Sequence, residues 1–458
     1  MPRDGRRVSQ PETSPNPVIG AAAPATAGTD AAGPGAVSPA SAALAPGTGI
    51  APSGATALLR RDPLLRGLVA STLVGALGRG VFFTLTVLYF TRFVGFDPIA
   101  IGVGLTIAGG VGVATSMLGG TLADRFGAKP VLVVLTLLQG ASLAAYAWST
   151  HYAVFLVLAA LVVGSTNAGY SARSALVARG FASAEQVTAR ATMRVATNVS
   201  IALGAAIAAL ALAADTGEAY RLAMTGAGAV YLVSALLVLR LPARDVHAEH
   251  SATDPSPQRK PWRDRRYLAL TVFNGLAVMQ FTLFEVGVPV WVAEHTSAPD
   301  TLVSLLLLGN TVLVIALQIP LARGTGGVRG ASRAALLAGV AMAVACGLYA
   351  ASSVGAGVVV IVALLAAAVG HTVAELLFSA GGWSLGFELA DPRRAGAYQG
   401  MLGVGTALGS MAAPLLITST VLTIGAPGWA VLAAVLLVAG VGMHLVGRSA
   451  LRAGVGTA

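Results

Sequence analysis

The sequence predicts an all-α integral membrane protein: twelve transmembrane helices forming two pseudo-symmetric six-helix bundles, with both termini cytoplasmic. Three observations predict it. Apolar residues make up 55% of the 458-residue chain and charged residues only 10%, against the ~25% charged of soluble domains. The apolar residues fall in runs long enough for the ~20-residue helix that crosses a bilayer. The bases, finally, gather on one side of the topology that those runs define.

Residues 1–58 are rich in Ala, Pro, Gly and Ser ("AAAPATAGTDAAGPGAVSPASAALAPGTG"). Such a stretch buries too little apolar area to fold, so a disordered tail is expected. It lacks the apolar run after its bases that a signal peptide needs, and a misassigned start codon is the bland alternative. Six helices are then predicted at 64–90, 98–122, 130–150, 153–177, 191–214 and 221–241, a first bundle over 59–241. Six more are predicted at 267–292, 301–321, 334–351, 355–380, 396–423 and 427–446, a second bundle over 266–447. The polar stretch "PARDVHAEHSATDPSPQRKPWRDRR" supplies a cytoplasmic linker, 242–265, and 448–458 form a short cytoplasmic tail.

The bases test this count. Twenty-six of the 29 Lys and Arg fall on the inner side, among them Arg125, Lys129, Arg173, Arg179, Arg190 and Arg194. Only Arg92 and Arg221 fall outside, and Arg79 alone remains within a helix. A miscounted helix would scramble this asymmetry downstream. The net charge of +10 therefore reads as basic inner loops rather than a nucleic-acid surface. The single cysteine, Cys346, lies in an apolar run, which excludes an intrachain disulfide and argues against a thiolate metal site.

A weak internal repeat supports two halves. "AGYS" (Ala168–Ser171), ending the fourth helix, resembles "GGWS" (Gly381–Ser384), ending the tenth. "NVSIALG" (Asn198–Gly204) in the fifth resembles "GVGTALG" (Gly403–Gly409) in the eleventh. Repeated bundles of this kind place a substrate path at their interface, near the bilayer midplane.

Between the second and third helices lies "GGTLADRFGAKP", Gly119 to Pro130, a polar knot in an oily chain. A tight reversal is needed there, and Gly127 can take a positive φ. Asp124 can accept hydrogen bonds from the amides opening the third helix or from a neighbouring helix N-terminus. Arg125 and Lys129 can pair with acids across the cytoplasmic face. A cluster made only when the inner side is closed works as a latch; the bland alternative is a merely topogenic loop.

The six-plus-six topology, long central loop and "G-x-L-A-D-R-x-G-x-K" hairpin together resemble the major facilitator superfamily of transporters. The hairpin looks like its signature loop, matched by Gly120, Leu122, Asp124, Arg125, Gly127 and Lys129. The resemblance implies a cytoplasmic gate that stabilises the outward-facing state. Glu388 and Asp391, beside Arg393 and Arg394, are the expected gate partners. The second half reads "LARGTGGVRG", with Arg323 where the acid would fall, so only the first half carries the complete motif. "ADRFGAKP", "ARSALV" and "ELADPRRAGAYQG" look most like bacterial proton-coupled drug exporters. Unlike that branch, Gly204 is followed by Ala205 rather than proline, and "LAALVVGSTNAGY" lacks a mid-helix arginine.

Ionisable residues inside helices each cost ~2.5–3.5 kcal/mol at the bilayer centre on insertion scales. Arg79 in "GALGRGVFF", Glu285 in "FTLFEVGVPV", and His371 with Glu375 at i, i+4 are the candidates. Desolvation disfavours a charged carboxylate, so Glu285 and Glu375 are the expected proton carriers. Arg79 is a counter-ion, an anion contact or the partner of a buried Glu; His371 contacts substrate or bonds a backbone carbonyl. Asn167, Asn198, Asn274, Gln280, Asn310 and Gln318 line a cavity or link helices. Phe82, Phe83, Phe281, Phe284 and Trp383 form an apolar pocket for lipophilic cations or face lipid.

No nucleotide-binding loop, zinc-protease helix, nucleophile elbow or Cys/His cluster occurs in the sequence, so no enzyme activity, cofactor or metal is expected. The expected protein is a secondary active transporter of the cell's inner membrane. It works as a monomer in the lipid bilayer and exchanges a small amphipathic substrate for protons. The alternatives are a carrier of a specific, possibly anionic, metabolite by symport or uniport, and a non-transporting sensor.

Overall fold

The computed structural model describes residues 54–242, 244, 259–299 and 301–454. Among these residues, twelve helices are long and apolar enough to cross a membrane. They are α1 (Pro63–Val94), α2 (Ile99–Phe126), α3 (Ala128–Tyr146), α4 (Tyr152–Gly180), α5 (Glu185–Ala214) and α6 (Gly217–Leu239). The second set is α7 (Arg265–His295), α8 (Thr301–Arg323), α9 (Gly327–Ala351), α10 (Val358–Glu388), α11 (Pro392–Leu422) and α12 (Ala426–Arg452). A short helix, Ala55–Arg61, comes first. Helical structure thus begins within the stretch expected to be disordered. The rest of that tail, and the linker at 243 and 245–258, lie outside the described residues.

Local chemistry starts the helices. Asp62 accepts from the amides of Leu64 and Leu65 at 2.8 and 3.2 Å, with Pro63 in the first turn. Asp97 accepts from Ala100 at 3.0 Å, followed by Pro98, and Asp264 accepts from Arg266 and Tyr267 at 3.1 and 3.2 Å. Each carboxylate satisfies amides that a helix start leaves without partners, where proline loses nothing.

The two bundles share one packing scheme. α1 packs on α5 and α6, α2 on α4, and α3 on α4 and α6; α7 packs on α11 and α12, α8 on α10, and α9 on α10 and α12. The sequence repeat marks equivalent contacts. A Cβ on Gly204 of α5 would strike the Leu77 carbonyl of α1, and one on Gly409 of α11 would strike the Gly275 carbonyl of α7. Aromatic clusters fill each half: Tyr89, Phe90, Tyr146 and Phe155 in the first, Trp291, Tyr349 and Trp429 in the second. Large apolar side chains point outward, Leu210 being 72% exposed, as a lipid-facing surface requires.

Several boundaries differ from the sequence expectation. The helix containing α5 begins at Ser183 rather than 191, α9 at Gly327 rather than 334, and α10 runs to Glu388 rather than 380. The added turn of α5 is held by buried Gln186, which donates to the Ala178 and Phe181 carbonyls at 3.0 Å, whereas that of α9 leaves Arg329 and Arg333 exposed. Arg190, expected just before a helix, lies within one, as do Arg173 and Arg194, which count with the inner-side bases although the expected spans 153–177 and 191–214 contain them.

Candidate functional site

Eight helices, α1, α2, α4 and α5 with α7, α8, α10 and α11, surround a cavity of about 660 Å³ between the bundles. Its walls carry four arginines, Arg79, Arg173, Arg190 and Arg194, and two carboxylates, Glu285 and Glu375. Its aromatic lining residues are Phe281, Phe284, Phe378 and Trp383 from the second bundle and Tyr170 from the first.

At one end of the cavity the bundles are joined. This is the basic face, where the helix ends that flank the linker and both ends of the described chain lie. Asp124 near the end of α2 accepts from the amides of Gly396 and Ala397, at 2.8 and 2.7 Å, in the first turn of α11. A third bond comes from Arg179 of α4 at 2.7 Å. Of the two roles open to Asp124, the structure shows the cap on a neighbouring helix. Arg394 lies within electrostatic reach of the same carboxylate. Gly120, one turn earlier, lies against Gly396 so tightly that a Cβ would strike its carbonyl. Ser116, one turn earlier again, donates to the Gly400 carbonyl at 3.3 Å. Gly127 takes φ +89°, the expected positive value, and ends α2.

The other charges of the loop do not pair as expected. Arg125 lies over the Phe126 ring at 5.2 Å, and Lys129 donates to the Leu241 carbonyl at 2.6 Å within its own bundle. Neither forms an ion pair with an acid among the described residues. Asp391 caps its own turn, accepting from the amide and side chain of Arg393 at 3.0 and 3.1 Å and from the Arg259 amide at 3.2 Å. Glu388 is half-buried at the end of α10. Of these four expected gate partners, Arg394 lies within electrostatic reach of Asp124.

Deeper in, Arg194 of α5 forms an ion pair with Glu375 of α10 and donates to Ser379, so it crosses between the bundles. Asn310 of α8 donates to the second Glu375 oxygen at 3.2 Å and to Thr372 at 3.0 Å. Trp383 lies against two cations, Arg190 at 5.5 Å and Arg194 at 5.8 Å. Its counterpart in the repeat, Tyr170, faces Arg79 at 5.2 Å. The "AGYS" and "GGWS" matches thus place an aromatic face against a guanidinium in each half.

Glu285 sits in a widened, π-type turn of α7, Leu283–Gly287. Pro289 has no amide to give the carbonyl four residues back, that of Glu285, and the helix opens locally. Glu285 lines the cavity within electrostatic reach of Arg79 and Glu375. His371 does not join it. Although spaced i, i+4 from Glu375, it is buried among the helices of its own bundle. Its Nε2 lies 2.9 Å from Gln280 Oε1 and 3.2 Å from the Gln280 carbonyl, and its ring meets Phe284 edge-on.

Among the other candidates, Asn167, Asn198, Asn274, Gln280 and Asn310 line the cavity, whereas Gln318 is fully buried away from it. Phe82 packs against Tyr146 inside the first bundle, and the side chain of Phe83 lies outside the described residues. Sequence reasoning missed the arginines. Arg190, Arg194 and Asn198 recur every four residues, the spacing of one helix face, and that periodicity was the available signal.

Residues 68–414 match the family described as Major Facilitator Superfamily. The chain belongs to this superfamily. As a superfamily member it is a multi-pass secondary transporter, not an enzyme. Solved structures share its fold. The human organic anion transporter MFSD10 (TETRAN) superposes with a TM-score of 0.63 at 17% identity, over 83% of this chain and 99% of that one. A bacterial homologue of the iron transporter ferroportin, in an outward-facing state, gives 0.62 at 15% identity over 84% and 98%. The transporter FucP, in the outward conformation, gives 0.63 at 12% over 84% and 98%. The chain matches no curated protein sequence. In this superfamily member Ser116, Asp124 and Arg194, all on the basic side of Arg79, take part in hydrogen bonds between the bundles.

Proposed function

We propose that the protein is a proton-coupled carrier that exports small amphipathic molecules across the cell membrane by alternating access, as a monomer. One observation carries the reading. Glu375 is a carboxylate in the cavity wall whose cationic partner, Arg194, belongs to the opposite bundle. Protonation of Glu375 removes the charge that holds Arg194, so taking up a proton and loosening the two bundles become one event. Glu285 faces the same cavity and is the second carboxylate of the relay. The cavity lies within the ~300–1,000 Å³ of drug-sized sites, and rocking of the bundles about it exposes it to each side in turn.

The Asp124 cluster is the cytoplasmic gate in this scheme, closed while the cavity serves the other side. Export is inferred from the likeness of "ADRFGAKP", "ARSALV" and "ELADPRRAGAYQG" to the drug:H+ antiporter branch. Counterflow in proteoliposomes, with and without an imposed pH gradient, tests the reading. Saturable counterflow accelerated by the gradient is expected. In Glu375→Gln the gradient effect disappears while counterflow persists. Movement of substrate by the wild-type protein that ignores the gradient overturns the coupling.

A further inference from the structure

We propose that this carrier's substrates are organic anions, and that their charged headgroup is held in a recess inside the first bundle. The inference rests on the transport reading above and names its substrate class.

The cavity lining has four arginines against two glutamates, a formal balance of +2 even with both carboxylates ionised. Glu375 is engaged by Arg194. Arg173 donates to the Thr72 hydroxyl at 2.8 Å and Arg190 stacks on Trp383; neither forms an ion pair among the described residues. In a weakly polar interior such an excess is a strong field for a negative charge.

The recess gives that charge a place. It adjoins the cavity among α1, α3, α4, α5 and α6, holds about 60 Å³, and shares Thr72, Arg79, Tyr170, Arg173 and Thr197 with the main chamber. Thr136, Gln139 and Thr166 complete a polar wall that contains no carboxylate. A volume of that size takes a few waters or one oxyanion group, but not a ring. Guanidinium groups match carboxylate, sulfonate and phosphate oxygens with paired donors. Across the chamber, the second bundle offers Phe281, Phe284, Phe378 and Trp383. A molecule with its oxyanion in the recess and an apolar body on these rings meets both surfaces. An amine of the same shape meets like charges, and a neutral analogue gains nothing from the guanidiniums.

The test measures binding to the full-length protein in nanodiscs of zwitterionic lipid, read by Trp fluorescence and thermal protection. The probes are aryl-alkyl carboxylates, sulfonates and phosphonates, each beside its matched amide and amine. The anions are expected to bind at least about tenfold more tightly than either analogue. Arg173→Gln abolishes that preference, Arg173→Lys partly restores it, and retained amide binding reports a folded variant. Preference for amines or amides, failure of every anion at millimolar concentration, or a preference unaltered in both R173Q and R79Q overturns the inference. Counterflow separates this result from the transport reading. Saturable counterflow of neutral or cationic solutes alone leaves transport standing and sinks the anion site. Tight anion binding without counterflow of any solute does the reverse.

Discussion

Asp124 of the first bundle accepts the Gly396 amide of the second at 2.8 Å, so one carboxylate ties two helices that must part when the basic face opens. The bond is charge-assisted and directed at a helix N-terminus, where a negative charge is favoured.

Asp124→Asn removes that charge and sets an amide NH2 against the helix start. Hydrogen bonds to charged groups are worth about 1.5–3 kcal/mol each, so the closed basic face should lose tenfold or more in population. Spin labels on the basic ends of α2 and α11 will then report longer separations, and transport will fall with insertion intact. An unchanged distance distribution would remove the latch role.

Gly120→Ala places a methyl group against the Gly396 carbonyl and 3.2 Å from the Gly400 Cα. Both obstacles are backbone, which cannot swing aside, so the same labels should show the basic face held apart. Gly110→Ala, on the same helix with open space around it, is the control and should transport normally.

Arg194→Gln and Glu375→Gln each strand one charge of a buried pair, at a cost of about 3–5 kcal/mol. Each single variant should melt several degrees below wild type. The double variant, with no charge left alone, should recover most of that loss. Additive losses in the thermal melts would mean that the two residues do not act as a pair.

Gly127→Ala forces a side chain into φ +89°, ψ 141°, a region that costs non-glycine residues about 1–3 kcal/mol. A lowered melting temperature with unchanged substrate affinity is expected, because the turn lies away from the cavity. Loss of affinity in binding assays would place the turn's strain in the transport cycle itself.

Hydropathy and the basic loops made the twelve spans, their order and the Asp124 hairpin legible, because a bilayer punishes any other arrangement of such runs. The cavity's charge was not legible by the same route. Arg190 resembles a loop base in a hydropathy reading, and Arg173 and Arg194, near the ends of their expected spans, count with the inner-side bases, since a polar helix face lining a chamber lowers the local average just as a loop does. Period separates the two cases, and "ARATMRVATN" carries it in Arg190, Arg194 and Asn198. The pairing of Arg194 with Glu375 needed the fold, which joins residues 181 positions apart.

The hairpin between α8 and α9 carries Arg323 where its first-half counterpart carries Asp124. Both hairpins lie on the basic face, so a clasp in either half would favour closure of that same face; as the proposed gate, the Asp124 bonds make the two end states unequal before any solute arrives. In the proposed cycle the empty carrier would then wait mainly with its chamber turned away from the basic face. A solute on that far side finds the site ready, while one on the basic side meets an affinity lowered by the fraction of carriers turned towards it. Such a bias sets the tempo of each half-cycle and the affinity seen from each side. It supplies no driving force, because a preference of the empty carrier cannot move solute uphill without a second gradient.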